Sequence, residues 1–282
     1  MIIAVTNQKG GTGKTTTTVS LAGALGDVGR RALVVDLDPQ AHATRYAGML
    51  PEELDDTVWT WLRQAELFTP APLDQDDLRS ILDTMWETHS PDPAPTPVIQ
   101  QPNGNPFDLV PSNLELSEAD LVLAAADGGE HRLAAALGQV QQDYDYILID
   151  CPPYLGVLTM NALAAADCVL IPLEAAHFAS RGISQLFRVL VQVKQTLNQR
   201  LSVLGVLITH VDYRSIHNGR MASEARRAMS QRVRVFESEI PTDADLAEAS
   251  VAGLCVSRFS PRSQGTEAYR RLAEEIGKIT CG

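Results

Sequence analysis

The chain has 282 residues, 45% of them hydrophobic, which suits one large α/β domain or at most two small ones. Its net charge of −12 argues against wholesale attraction to nucleic acid or to an anionic membrane. Four cysteines, at 151, 168, 255 and 281, form no C-x-x-C pair and follow no secretory signal, so they read as reduced thiols of a cytosolic protein; no apolar run reaches the roughly 18 residues of a membrane span.

The first element is a short apolar run, residues 2–5, which predicts a strand. A glycine-rich loop follows, and then a helix over 15–25, closed by Gly26 and Gly29. Further apolar runs at 31–37, 146–150, 168–173 and 203–211 predict strands covered on both faces. Helical patterns alternate with them at about 159–166, 181–197, 216–231, 243–252 and 264–279. This alternation predicts one α/β domain over 1–282, a doubly wound, mostly parallel sheet flanked by helices. Residues 51–106 break the rhythm with two polar helical stretches and a proline-rich run, six of the chain's 16 prolines lying between 91 and 106. They read as an exposed surface insertion.

The loop between the first strand and helix reads Lys9-Gly10-Gly11-Thr12-Gly13-Lys14-Thr15-Thr16. Gln8 stands where the common pattern G-x-x-x-x-G-K-[ST] has its first glycine, but the variant K-G-G-x-G-K-[ST] fits, which makes this a P-loop of the deviant Walker type. Glycines 10, 11 and 13 let the backbone wrap phosphate oxygens, and the helix start adds amides and dipole. Lys14 is placed to reach β- and γ-phosphates, and the Thr15 hydroxyl to ligate Mg²⁺. Asp150 ends a strand, where an acidic residue can hold Mg²⁺. Asp36 and Asp38 end another; strand alternation puts both on one side, toward the phosphates.

With these motifs the chain resembles the ParA family of partition ATPases, within the MinD/ParA group. The resemblance runs over most of the chain, through residues 7–16, Val35-Asp-Leu-Asp-Pro-Gln, residues 144–153, Asp243-Ala-Asp-Leu-Ala-Glu-Ala and Ser260-Pro-Arg-Ser-Gln-Gly-Thr-Glu-Ala-Tyr. It implies ATP and Mg²⁺ as ligands, with Thr15, Asp36 and Asp150 around the metal, and weak intrinsic ATP hydrolysis. It implies an ATP-dependent homodimer in which Lys9 reaches the partner's phosphates, and an Asp38 that positions or activates water. Lys14 completes that catalytic set. Adenine contacts fall at Thr209, His210, Pro241 and Asp243, although Thr242-Asp243 departs from the arginine and asparagine usual there.

The family further implies non-specific double-stranded DNA and a ParB-like centromere-binding protein as partners, in a cytoplasmic, nucleoid-associated protein. Residues 181–234 hold ten basic residues against Asp212 and Glu224, a local net of +8, whereas residues 51–130 hold 17 acids and two arginines. Such polarity lets one face meet phosphate, and Arg188, Lys194, Arg214, Arg220, Arg226 and Arg227 are its candidate contacts. The phosphate loop begins at residue 9, leaving no room before it for a helix-turn-helix. Two other readings share the phosphate site: a MinD-like membrane-surface ATPase and an orphan positioner of a protein cargo. The last helix has an apolar stripe but no basic anchor beyond it, so no membrane partner is expected. An electron-transfer ATPase would call for paired cysteines that are absent from the sequence.

Overall fold

The computed structural model describes residues 1–64, 98–175 and 181–279. Seven strands form one sheet: β1 (Ile2–Val5), β2 (Ala32–Asp36), β3 (Asp108–Val110), β4 (Tyr146–Asp150), β5 (Cys168–Glu174), β6 (Ser202–Val211) and β7 (Val235–Pro241). Their order is β3-β2-β4-β1-β5-β6-β7, and every pairing is parallel. The doubly wound parallel sheet read from the sequence is therefore present, with two strands added. β3 has three residues and β7 alternates, with Glu237 exposed between buried Phe236 and Ser238. Both are edge strands, and neither carries the long apolar run that marks a strand buried on both faces.

Side-chain alternation divides the core. Ile2 and Ala4 face one layer and Ile3 and Val5 the other. The first layer holds α3 (Val58–Gln64), α4 (Ala119–Ala125), α5 (Arg132–Gly138), α6 (Val157–Ala165), α7 (Arg181–Thr196) and α8 (Ile216–Ser230). The second holds α1 (Lys14–Asp27), α2 (His42–Tyr46), α9 (Ala244–Ala252), α10 (Val256–Phe259) and α11 (Gln264–Gly277). The apolar stripe of α11 is core packing: Tyr269, Leu272 and Ile276 are fully or almost fully buried under the sheet.

Part of the expected insertion is not exposed. Val58, Trp59, Trp61 and Leu62 of α3 are buried in the first layer, and the Val58 amide donates to the Pro111 carbonyl at 2.7 Å. The polar look of 51–64 comes from Glu52, Glu53, Asp55 and Asp56, which lie in the connection before the helix. The rest of the expected insertion through residue 97 lies outside the described residues.

Strand order places the site. β1 and β2 both neighbour β4, so the carboxyl ends of three strands lie side by side: Val5 is in register with Asp150, and Asp150 with Asp36. Doubly wound sheets bind ligands in the crevice outside such strand ends, where the connections diverge.

Candidate functional site

The loop from Thr6 to Gly13 joins β1 to α1, and it turns at Gly11 (φ 74°) and Gly13 (φ 83°), left-handed positions that favour residues without a Cβ. Gly13 is the N-cap of α1, so the first free amides of a 14-residue helix open toward the loop. The loop is pinned from outside. Asn7 donates to the Pro172 carbonyl at 2.7 Å and accepts from the Lys9 amide at 3.1 Å. Thr209, at the end of β6, donates its hydroxyl to the Thr12 carbonyl at 2.9 Å.

A cavity of about 660 Å³ opens over this loop. Gly10, Gly11, Gly13, Lys14, Thr15, Thr16 and Asp38 line it, together with Thr209, His210, Pro241 and Asp243. The structure thus brings into one pocket the predicted phosphate and adenine residues, some 200 positions apart in the chain. Lys9 and Thr12 brace the loop without lining the cavity.

Three charged residues carry the electrostatics. Asp150 is buried, its Oδ2 accepts from the Thr15 hydroxyl at 2.7 Å, and Oδ1 accepts more distantly from Thr18. Burial, reinforced by the neighbouring Asp36, pushes its carboxyl up to about 8. Asp36 is also buried and is raised to about 6, chiefly by desolvation. Lys14 is drawn below the usual lysine range by burial, against the opposing pull of Asp150.

Two of the predicted site acids are also engaged by their own chain. Asp36 Oδ2 accepts from both the amide and hydroxyl of Thr44, at 2.8 and 2.7 Å, and Oδ1 accepts from the Asp38 amide. Its carboxylate is thus engaged in holding α2 and the β2–α2 turn. Asp243 caps α9 by accepting from the Asp245 amide through Oδ1, while Oδ2 accepts from the Gly265 amide. Asp243 thus lines the cavity with both carboxylate oxygens already engaged by amides of its own chain. Asp38 keeps one oxygen on the Gln40 amide and presents the other near His42.

Sequence reasoning missed part of the wall: His42, Arg45 and Tyr46 of α2, Leu246, Ala247 and Ser250 of α9, and Tyr269 of α11. A five-residue helix carries no readable period, and Tyr269 looked like one position of an apolar stripe.

The donor set fits a hard divalent cation held partly by a ligand. Among the described residues no group of three His, Cys, Asp or Glu side chains could hold a metal. Asp150 and the Thr15 hydroxyl are oxygen ligands already in contact, and Mg²⁺ takes only one or two protein ligands beside phosphate and water.

The basic span is not one patch. Arg214 and Arg220 lie just after β6, at the strand end that carries the cavity, whereas Arg200, Arg232 and Arg234 lie just before strands, at the opposite end. Arg188, Lys194, Arg214, Arg220 and Arg227 are exposed, though Lys194 donates to the Leu201 carbonyl at 2.6 Å. Arg226 is engaged within its own chain. It pairs with Glu239 at 2.7 Å and donates to the Phe236 carbonyl at 2.8 Å, clamping α8 to β7. No helix among the described residues is long and apolar enough to cross a membrane.

A family model described as an AAA domain matches residues 1–203. The sporulation initiation inhibitor protein Soj of Bacillus subtilis is 36% identical over 275 residues, covering 98% of this chain and 97% of its own. The chromosome partitioning protein ParA of Myxococcus xanthus is 36% identical over 277 residues, covering 98% and 88%. Among solved structures, the cobyrinic acid a,c-diamide synthase from Mycobacterium smegmatis, with bound ADP and magnesium, superposes with a TM-score of 0.75 at 32% identity, covering 98% of this chain and 94% of that one.

Proposed function

The chain belongs to the ParA family of partition ATPases, P-loop enzymes that use ATP and Mg²⁺, and from that premise we propose that its ATP-bound homodimer binds double-stranded DNA without sequence preference until a ParB-like partner stimulates hydrolysis. The cycle would segregate a plasmid or chromosome and keep the protein on the nucleoid. The observation that carries this reading is the exposure of Arg214 and Arg220 at the same end of the sheet as the nucleotide cavity. Two such surfaces, joined by a dimer closing over that end, would form one larger cationic face only in the ATP state.

Within the site, the amides of Gly10 to Lys14 cradle phosphate and Lys14 neutralises the β- and γ-oxygens. Thr15 and Asp150 would hold the metal, which would supply positive charge beside the transferred phosphoryl group. Asp36 keeps the turn before α2 in shape through Thr44, so that Asp38 holds the attacking water. Lys9 completes the partner's site. Thr209, His210, Pro241 and the Asp243 backbone hold the adenine end.

The test is DNA binding by the purified protein, with ATP, with ADP and without nucleotide, on unrelated duplexes across a salt series. Binding confined to the ATP state and indifferent to sequence supports the proposal. Equal DNA affinity in all three states, or none in any, overturns it.

A further inference from the structure

Asn105 stands in Gln101-Pro-Asn-Gly-Asn-Pro, a stretch that reads in sequence as part of an exposed insertion, yet it is half-buried and its side chain joins the ends of three helices. Its Nδ2 donates to the carbonyl of Gly253, which closes α9, at 3.0 Å, and to that of Ala47, which closes α2, at 3.3 Å. Its Oδ1 accepts at 2.7 Å from the amide of Cys255, which opens α10. The two N–H groups of one amide lie at a fixed angle, so they set the two acceptor carbonyls relative to each other. Beside this clasp the helix ends meet backbone to backbone. Gly48 and Gly253 are both left-handed, with φ 82° and 72°, and a Cβ on Gly253 would lie 2.6 Å from Gly48 Cα. The loop that carries Asn105 is itself set close against α1, where a Cβ on Gly26 would overlap the Pro106 carbonyl oxygen.

We propose that Asn105 is a positioning residue for nucleotide binding, which holds the ends of α2 and α9 together and so fixes the wall against which the nucleotide seats. The inference rests on the assignment of the cavity over the phosphate loop to the nucleotide. Both helices supply that cavity's wall, α2 through His42, Arg45 and Tyr46, and α9 through Leu246, Ala247 and Ser250. Their starts are fixed independently of Asn105. Thr44 near the start of α2 is held by Asp36 and by the Ser112 amide, and Asp243 caps the start of α9 while accepting from Gly265. Midway, the Tyr46 hydroxyl donates to the Leu246 carbonyl at 3.2 Å. A five-residue helix does not hold its shape unaided in water, so α2 without the clasp is tied firmly at its start alone.

The groups at the phosphate end do not depend on the clasp. Asn7 and Thr209 hold the phosphate loop, and Asp38 is held through the Gln40 amide and the Ser112 hydroxyl. Asn105 therefore governs how well the cavity retains nucleotide rather than how fast bound ATP reacts. Loss of binding with turnover at saturation preserved is the signature of an interaction that serves ground state and transition state alike. General damage to the fold gives a different pattern, in which fewer molecules bind but those that do bind normally.

The test titrates fluorescent Mg-ADP into the parent, Asn105→Asp, Gly253→Ala and Lys14→Ala well below their melting temperatures, beside kcat at saturating ATP. Asn105→Asp keeps an acceptor for the Cys255 amide but turns a carboxylate oxygen toward the Ala47 and Gly253 carbonyls. Gly253→Ala wedges the same two helix ends apart and leaves Asn105 in place. Each should bind Mg-ADP about five- to tenfold more weakly at parental stoichiometry, the range in which residues remote from a ligand act on its affinity, with kcat within about twofold of the parent. Stoichiometry counts the folded sites, so a variant that only folds less well shows fewer sites of parental affinity. Parental affinity in the folded sites of either variant, or a loss confined to kcat, overturns the proposal. If Lys14→Ala binds Mg-ADP as the parent does, the assignment of the cavity to the nucleotide itself fails, a separate outcome.

Discussion

Lys9 Nζ donates to Glu174 Oε2 across 2.5 Å, tying the phosphate loop to the end of β5 within one chain. Both side chains are part exposed, 37% and 25%, and pairs of that kind contribute about 1 kcal/mol or less. So weak a tie does not prevent Lys9 from reaching into a partner's site. Lys9→Ala should therefore leave monomeric ATP binding within a few-fold while weakening ATP-dependent dimerisation and hydrolysis. Light scattering with a non-hydrolysable ATP analogue checks this; an undiminished dimer with normal turnover rejects the role in trans.

Asp38→Ala should retain ATP binding and dimerisation but lower hydrolysis by at least about a hundredfold, the scale on which a positioned acid–base group acts. The fold should be preserved, because the side chain's hydrogen bond is to the nearby Gln40 amide. Phosphate release at saturating ATP, beside gel filtration of the ATP state, separates the two effects. Turnover near the parent's would remove Asp38 from the reaction.

Asp150 is raised to about 8 and Asp36 to about 6, both chiefly by burial. A carboxylate raised in the folded state costs nothing while protonated. Its burial penalty grows as pH rises from the ordinary 3.8 and is complete above the raised value. The metal-free protein should therefore lose stability between pH 4 and 8, and Asp150→Asn should raise Tm more at pH 8 than at pH 6. For the same reason magnesium must displace a proton below about pH 8, so Mg-ADP should bind more tightly at pH 8 than at pH 6. Calorimetry in two buffers of different ionisation enthalpy counts the protons released, and a count of zero at pH 6.5 contradicts this.

Arg214→Ala with Arg220→Ala should weaken ATP-dependent DNA binding to all duplexes alike and flatten its salt dependence, by roughly 0.9 in log–log slope for each phosphate left unneutralised. Arg226→Ala should act differently. It breaks the clamp to Glu239 and the Phe236 carbonyl, a partly buried charge-assisted contact, and should lower stability by about 1–3 kcal/mol. Urea melts and DNA titrations on the same preparations distinguish these effects. A pair of variants at 214 and 220 with parental affinity and slope would falsify their assignment to DNA.

Trp61 is fully buried in the first layer. Trp61→Ala should cost about 3–5 kcal/mol, the usual range for emptying so large a core site. A loss below about 1 kcal/mol, as for a surface position, would mean that α3 is dispensable to the fold.

Periodicity and motif spacing carried the phosphate loop, five of the seven strands and the parallel α/β class. A strand buried on both faces must be apolar throughout, and a loop that wraps phosphate must be rich in glycine. Those demands act within a few neighbouring residues and are written in order along the chain. Where side chains from distant segments meet is a different matter. Asp36, Asp38 and Asp243 all read as ligand-facing acids, yet both oxygens of Asp36 and of Asp243 accept from their own chain, while Asp38 Oδ2 has no such hydrogen bond among the described residues. Arg226 and Arg227 are adjacent in sequence and equally basic, but only Arg226 is turned onto β7. His42 carries no motif in the sequence, and the left-handed turn at Ala41 sets it 3.9 Å from Asp38. A carboxylate's or guanidinium's role depends on which donors, acceptors and charges lie within about 4 Å, and long-range packing, with its crossovers and strand order, decides that set.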